Sequence, residues 1–389
     1  MSRTPEAAST VPVLELRDVA VHYPVTSGII RRRVTGAVRA VDGVSLSIGA
    51  GETLGLVGES GSGKTTIARA IIGLVPLTRG RILVEGRDIR SDGGGETLAR
   101  RRRVQMIFQD PFASLNPRMT IGNIVADPLR VHRIGTEAER RERVRELFDL
   151  VGLDASLVNR YPHEFSGGQR QRVGIARALA VDPMLVVCDE PVSALDVSIQ
   201  AQILNLLRDL RERLGLAFLL ISHDLAVVRH VSDRVAVMYL GRLMEVADRD
   251  RLYAEPKHPY TKALLAAVHV PNPAKERARR DPPLSGEIPS PANPPNGCRF
   301  QTRCPLRERL GRPAECVDVE PVLRDVGQGQ FVRCHFVERG DMDSIGVVRP
   351  RGAEDEGGRV RRTLDMRPER NAREEHNRDE IADVGARCN

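Results

Sequence analysis

Gly58-Glu59-Ser60-Gly61-Ser62-Gly63-Lys64-Thr65 fits G-x-x-x-x-G-K-S/T at every fixed position. The pattern wraps backbone N–H groups around phosphate oxygens. Both flanks agree with it. The run Thr53-Leu54-Gly55-Leu56-Val57 is apolar enough for a buried strand, and Thr66-Ile67-Ala68-Arg69-Ala70-Ile71-Ile72 reads as a helix. Strand, loop and helix N-terminus then form a phosphate cradle, with the positive end of the helix dipole aimed at the anion. Gly58, Gly61 and Gly63 tolerate positive φ and a close backbone approach. Lys64 is expected on the β- and γ-phosphates and the Thr65 hydroxyl on Mg²⁺. Glu59, Ser60, Ser62 and Thr66 complete the expected nucleotide-contacting set. The bland alternative, a glycine-rich turn before an ordinary helix, leaves the flanks as coincidence.

Upstream, Val13-Leu14-Glu15-Leu16-Arg17 and Val44-Ser45-Leu46-Ser47-Ile48 alternate as half-buried strands do, with 24–35 expected as a polar loop. Gly80-Arg81-Ile82-Leu83-Val84-Glu85-Gly86 adds a strand and turn, so an antiparallel piece should lie beside the nucleotide. Tyr23 ends the first strand, where its ring would stack on adenine, although a strand tyrosine is more often packing. Downstream, Val104-Gln105-Met106-Ile107-Phe108 runs into Gln109 and then an irregular loop over 110–117. Thr136-Glu137-Ala138-Glu139 is a capping box. It opens a helix whose apolar face is Val144, Leu147, Phe148 and Val151, closed by Gly152. Phe165-Ser166-Gly167-Gly168-Gln169 precedes another helix and makes a second glycine-rich helix N-terminus, again an expected anion site.

Leu185-Val186-Val187-Cys188 has the unbroken apolar character of a central parallel strand and ends in Asp189-Glu190. An amphipathic helix over 199–214 and the buried run Ala217-Phe218-Leu219-Leu220-Ile221 follow, with His223 just beyond. Strands alternating with helices imply a parallel sheet whose ligands gather at strand carboxyl ends. Lys64, Gln109, Asp189, Glu190 and His223 all fall at such ends. Asp189 is expected to hold Mg²⁺ through its hydration water. Glu190, projecting differently, would orient the attacking water and accept its proton. His223 would contact the γ-phosphate and Gln109 complete the Mg²⁺ shell. An acidic pair opening a loop, a structural histidine and a surface glutamine are the plain alternatives.

The 389 residues suffice for two domains, one with a full α/β core. Aromatics are 3% with no Trp, so the core must be aliphatic. The net charge of +7 comes from Arg scattered among Asp and Glu, which gives no reason to assign a nucleic-acid partner. No apolar run approaches the ~20 residues that span a bilayer. Residues 1–10 lack an export h-region, so a cytoplasmic chain is expected. Its six Cys should then be reduced. From about His258 the composition shifts to a Pro-rich segment, then a small Cys-bearing region, and after Phe336 to charges without aromatics. The expected division is a flexible 1–12, an ATPase domain over 13–257, a C-terminal region over 258–337 and a disordered tail over 338–389.

Tyr23, the 58–65 loop, Gln109, Phe165-Ser166-Gly167-Gly168-Gln169, Asp189-Glu190, Ser193-Ala194-Leu195-Asp196 and His223 together resemble the ordered motifs of ABC-transporter ATPase subunits. The resemblance covers roughly residues 13–246; Phe165 stands where Leu is commoner. It implies an α/β P-loop NTPase fold: a parallel-sheet core, an antiparallel β subdomain and a helical signature subdomain. It also implies a head-to-tail dimer in which Ser166, Gly167, Gly168 and Gln169 of one subunit close on ATP held by the other, with Asp196 communicating across the interface. Phe108-Gln109-Asp110-Pro111-Phe112-Ala113-Ser114-Leu115-Asn116-Pro117, Tyr161-Pro162-His163-Glu164-Phe165, His258-Pro259-Tyr260-Thr261 and Gly297-Cys298-Arg299-Phe300-Gln301-Thr302-Arg303-Cys304-Pro305 narrow it to oligopeptide/dipeptide importer ATPases. Ser285-Gly286-Glu287-Ile288-Pro289-Ser290-Pro291 suggests the second (F-type) of their paired subunits.

The partners so implied are a sister ATPase, two membrane permeases and an extracytoplasmic binding protein, with this subunit peripheral on the cytoplasmic face of the inner membrane. Residues after Gln109 would receive the permease's coupling helix. Relatives of this type also import nickel and other small solutes, and a soluble, non-transport ABC ATPase is a further reading; this chain has one cassette and no sustained heptads.

Cys298, Cys304, Cys316 and Cys334 are spaced C-x₅-C-x₁₁-C-x₁₇-C. Four thiolates in a region with little apolar core suggest a metal that helps it fold. Such a set serves zinc or an iron–sulfur cluster, and the tight pairs common in structural zinc sites are missing. Resemblance to the importer family points to a 4Fe–4S cluster; four reduced, unliganded Cys is the alternative. Cys188 lies inside a strand and Cys388 in the tail.

Overall fold

The computed structural model describes residues 11–27, 33–89, 94–267 and 286–337. The tail expected over 338–389, Cys388, and all but the last two of residues 1–12 lie outside the described residues.

A first sheet is antiparallel. Its strands are β1 (Leu14–Ser27), β2 (Arg33–Ile48), β4 (Arg79–Val84) and β5 (Arg87–Asp88), in the order β2-β1-β4-β5. β1 and β2 are longer than the alternation predicts. Residues 24–27 and 33–35, expected as loop, continue the ladder: Pro24 faces Ala37 and Val25 faces Gly36. Pro24 is tolerated because β4 pairs with β1 only as far as Ala20, so beyond it β1 has a single neighbour.

The second sheet carries the parallel core. β3 (Thr53–Val57), β7 (Leu185–Asp189) and β8 (Ala217–Ser222) are buried at every position, as their unbroken apolar runs require. With β6 (Val104–Ile107), β9 (Arg234–Tyr239), β10 (Arg242–Asp248), β11 (Arg324–Asp325) and β12 (Phe331–Val332) the order is β11-β12-β10-β9-β3-β8-β7-β6. β3 runs parallel to β8 and β9, and β7 parallel to β6 and β8. β9 and β10 form a hairpin through Leu240 and Gly241, both at positive φ, the conformation that two-residue hairpin turns demand. That turn reaches the phosphate loop: Gly241 N–H donates to the Ser62 carbonyl at 2.9 Å.

The α-helices among the described residues up to 267 are α1 (Lys64–Ile71), α2 (Gly94–Arg103), α3 (Pro111–Ser114), α4 (Ile121–Val131), α5 (Glu137–Val151), α6 (Gly167–Leu179), α7 (Val197–Leu214), α8 (Leu225–Val231), α9 (Arg249–Ala254) and α10 (Pro259–Ala267), with two short ones, Pro305–Arg309 and Glu315–Asp318, further on. α5 has its capping box at Thr136 and Glu139, buries Val144, Leu147, Phe148 and Val151, and ends at Gly152 in the left-handed region. The expected loop over 110–117 contains α3. Asp110 caps it by accepting from the Phe112 and Ala113 N–H groups, a local bond that four residues of sequence do not announce.

Two mainly aliphatic cores lie against the large sheet. One packs its residues with α4 to α7; the other joins it to the antiparallel sheet and α1. Residues 286–337 are tied into this body. β12 pairs with β10, and Phe300 packs among Tyr239 and Tyr260 with ring centroids 5.4 and 5.2 Å away.

Candidate functional site

The phosphate loop is built by steric exclusion. A Cβ on Gly58 (φ +156) would stand 2.1 Å from the Met238 carbonyl oxygen, and one on Gly63 (φ +109) 2.1 Å from that of Ala40. Only glycine lets the loop lie so close to the β9–β10 hairpin and to β2. Gly63 also starts α1, whose first turn has no side-chain cap. Its N–H groups are thus left for an anion.

A cavity of about 700 Å³ opens over this helix start, lined by Tyr23, Val38, Ala40, Ser60, Gly61, Gly63, Lys64, Thr65, Thr66, Gln109, Glu190, His223 and Pro291. Of the sequence-derived set, ten residues from five separate segments meet here. Gly58, Glu59 and Ser62 form the back of the loop. Lys64 Nζ donates to the carbonyls of Gly58 at 2.7 Å and Glu59 at 2.9 Å, and lies 3.4 Å from Ser62 Oγ. Burial pushes its pKa down, against the pull of the Glu190, Asp189 and Glu59 carboxylates.

Thr65 Oγ1 donates to Asp189 Oδ1 at 3.1 Å, so the two expected Mg²⁺ groups adjoin. Asp189 is buried, and burial raises its pKa; the Thr65 bond opposes this and the neighbouring Glu190 charge adds to it. Glu190 sits at φ +47°, a conformation unfavourable for a residue with a Cβ. Its carboxylate is gripped from both sides: Gln109 Nε2 donates to Oε2 at 2.9 Å, and His223 Nδ1 lies 3.2 Å from Oε1. Gln109 and His223 therefore meet on Glu190 itself.

Tyr23 sits within β1 opposite Val38, with its ring 40% exposed at the cavity wall. Ser166, Gly167, Gly168, Gln169 and Asp196 do not line this cavity. Ser166 N–H donates to Gln169 Oε1 at 3.0 Å and Gln169 N–H to Ser166 Oγ at 3.3 Å, which caps α6 from within. Asp196 caps α7 through the Ile199 N–H at 3.0 Å.

Three contacts escape any sequence pattern. Tyr260 Oη accepts the Glu59 N–H at 3.0 Å, Arg303 pairs with the Glu59 carboxylate, and the Arg39 N–H donates to the Pro291 carbonyl at 3.0 Å. The 258–261 and 297–305 stretches stand out as family motifs, but nothing in them names a partner.

Cys298, Cys304, Cys316 and Cys334 line one small cavity with Phe300, Leu306, His335 and Phe336. Burial pushes the Cys298 and Cys304 thiols up to about 12, and the other three thiols add to the rise at Cys298. The four thiols thus share one apolar-walled cavity. Among the described residues, no three His, Cys, Asp or Glu side chains stand ready-made around a single metal ion.

Phosphate cradle, paired carboxylates and separate signature helix define an ABC-type ATPase. Residues 41–193 match the family model described as ABC transporter, and residues 244–309 that of the oligopeptide/dipeptide transporter C-terminal region. The oligopeptide transport ATP-binding protein AppF of Bacillus subtilis is 53% identical over 332 residues, 85% of this chain and 99% of that protein. OppF of Salmonella typhimurium, named likewise, is 53% identical over 313 residues, 80% of this chain and 92% of that one. Among solved structures, the dimeric post-hydrolysis state of the ATP-binding cassette MJ0796 bound to ADP and Pi is similar, with TM-score 0.54 and 30% identity over 61% of this chain and 98% of that one. The chain belongs to the family of oligopeptide/dipeptide ABC-importer ATP-binding subunits, and it is an ATPase.

Proposed function

We propose that this ATPase powers uptake of oligopeptides or dipeptides, working with a sister ATPase, two membrane permeases and an extracytoplasmic binding protein. The observation that carries the cargo reading is the match of residues 244–309 to the peptide-transporter C-terminal region, beside relatives named for oligopeptide transport. Among the described residues no helix is long and apolar enough to cross a membrane. In the same reading, as the importer resemblance implies, the subunit is peripheral, on the cytoplasmic face of the inner membrane. Phe112, 64% exposed and backed by the Arg170 guanidinium 3.7 Å from its ring centroid, suits a seat for a permease helix.

In this reading Tyr23 stacks on adenine, and Lys64 with the amides of residues 58–66 holds the phosphates. Thr65, Gln109 and Asp189 would hold Mg²⁺, which neutralises phosphate charge when bound. Glu190 orients the attacking water and takes its proton, while His223 and Gln109 fix its carboxylate. Ser166, Gly167, Gly168, Gln169 and Asp196 would complete the site of the sister subunit, an arrangement supported by their distance from the chain's own cavity. The four convergent cysteines would hold a 4Fe–4S cluster of structural purpose. Because their buried thiols favour the protonated form, loading would release protons.

Reconstitution with the four partners in vesicles tests the function. ATP hydrolysis should rise when peptide-loaded binding protein is added; stimulation by nickel-loaded binding protein instead would change the cargo. Hydrolysis by the isolated chain at the full complex rate would overturn the shared site. Anaerobic purification should give brown protein whose iron and sulfide are lost in Cys304→Ser, whereas stoichiometric zinc or a metal-free, well-folded chain would reject the cluster.

A further inference from the structure

Glu59, the second residue of the phosphate loop, is held on three sides. Its N–H donates to Tyr260 Oη at 3.0 Å, and its carbonyl accepts from Lys64 Nζ at 2.9 Å. Its carboxylate takes a two-point pair from Arg303, Nη1 to Oε2 at 2.7 Å and Nη2 to Oε1 at 3.1 Å. Both outside partners come from beyond residue 257, and both are themselves fixed. Tyr260 is fully buried, with its ring 4.8 Å from that of Tyr239 and 5.2 Å from that of Phe300. The Arg303 side chain is 5% exposed, its backbone N–H donates to the Phe300 carbonyl at 3.0 Å, and Nη1 lies 3.5 Å from Tyr239 Oη. A forked guanidinium–carboxylate pair with its cation this buried imposes one geometry, unlike a surface ion pair.

What Arg303 holds matters for charge as well as shape. The Glu59 carbonyl seats the ammonium that would meet the phosphates, while the Glu59 carboxylate is a negative charge beside the same cradle. Arg303 offsets that charge. The same C-terminal stretch reaches the far wall of the cavity, where Pro291 is bonded to β2 next to Val38 and Ala40.

We infer that Arg303 and Tyr260 are positioning residues of the nucleotide site: through Glu59 they set the phosphate loop and Lys64, and Arg303 cancels a carboxylate that would repel the triphosphate. ATP affinity thus depends on chain far downstream of the motifs that contact ATP. The inference rests on the nucleotide reading of the cavity.

The test uses the full chain, Mg·ATP and Mg·ADP titrations with a fluorescent competitor, and thermal melts. Arg303→Gln should weaken ATP about tenfold and ADP by less, because one side of a desolvated charge pair is left uncompensated and ADP carries less charge. Adding Glu59→Gln should bring ATP affinity back to within about threefold of the parent, since the repelling charge is then gone. Arg303→Lys, keeping charge without the fork, should fall between. If Arg303→Gln does not fold, Tyr260→Phe asks the same question by removing only the acceptor for the Glu59 N–H, with an expected loss of about threefold or more. Parent-like ATP affinity and parent-like ATP-over-ADP preference in whichever variants fold would overturn the inference alone. A parent chain that binds no ATP would overturn the nucleotide reading and this inference with it.

Discussion

Two glycine-rich segments open helices in this chain, and they treat the same unsatisfied N–H groups in opposite ways. At α1 the start is Gly63, without a side-chain cap, beneath a roomy cavity that also holds a lysine. At α6 the start is finished by its own side chains, Ser166 and Gln169 exchanging bonds. The glycines differ in purpose too. Gly58 and Gly63 of the first loop make room for the carbonyls of Met238 and Ala40, whereas a Cβ on Gly168 would stand 2.5 Å from Ile199 Cγ2 of α7. The first segment leaves its N–H groups open to the chain's own cavity; the second satisfies them within its own helix end. Glycine next to a helix is therefore not one signal but two, told apart by what the missing Cβ would strike.

The largest expected effect probes the cradle. Glu190→Gln should lower turnover of the assembled ATPase about 100-fold or more while ATP still binds, because shape is kept and the proton acceptor is lost. Lys64→Ala should instead weaken ATP binding. Single-turnover hydrolysis and nucleotide titration separate the two, and parent-like turnover in Glu190→Gln would remove the base from the site.

Gly168→Ala should destabilise the chain by about 1–3 kcal/mol, since Ile199 is β-branched and yields little. ATP affinity of the isolated chain should stay as it is. Denaturant unfolding beside ATP titration checks this; a large affinity loss at unchanged stability would mean the second segment also serves the chain's own nucleotide.

Acid should loosen the first segment rather than the second. The Tyr260 N–H donates to His258 Nδ1 at 3.0 Å, and Tyr260 in turn holds Glu59. Burial pushes His258 down from 6.5 to about 3; Arg333, whose backbone bonds it, also sets a like charge nearby. Between those values the unfolded chain binds a proton that the folded chain refuses, so stability rises with pH and is lost as pH falls from about 6.5. The slope from this group is at most about 1.4 kcal/mol per pH unit. His258→Asn should flatten it in melts run from pH 7 to 4. Hydrogen exchange in acid should quicken across 58–65 before 166–169, and the reverse order would break the contrast.

The smallest effect falls on the cap of α6. Ser166→Ala should cost about 1 kcal/mol in stability and leave ATP binding by the isolated chain unchanged. Turnover should drop only when the sister subunit is present, as a rate comparison with and without it would reveal.

Much of this arrangement is written plainly in the chain. β3, β7 and β8 are readable because a strand buried on both faces must be apolar throughout. The loop at 58–65 is readable because phosphate contact leaves few choices of residue. The distal β1–β2 ribbon is not: Val25 and Val34 are exposed there, so no buried face imposes alternation, and Pro24 argues against a strand. α3 is too short for periodicity. The grip of Arg303 on Glu59 spans 244 positions, and a sequence rich in both Arg and Glu gives no hint which will meet.

The pairing of β12 with β10 bears on where this chain can be cut. Phe331 and Val332 cover the rim of β10 at Val246 and Glu245, and the buried Glu245 carboxylate takes N–H bonds from Lys257, His258 and Gln330. A fragment ending at residue 257 would keep every motif for ATP, yet bare that rim as a template for another chain's strand and strand a carboxylate short of two of those donors. Such a fragment should precipitate or pair edge to edge, and a protease that nicked the polypeptide just after α10 would leave the two pieces held together without a covalent link.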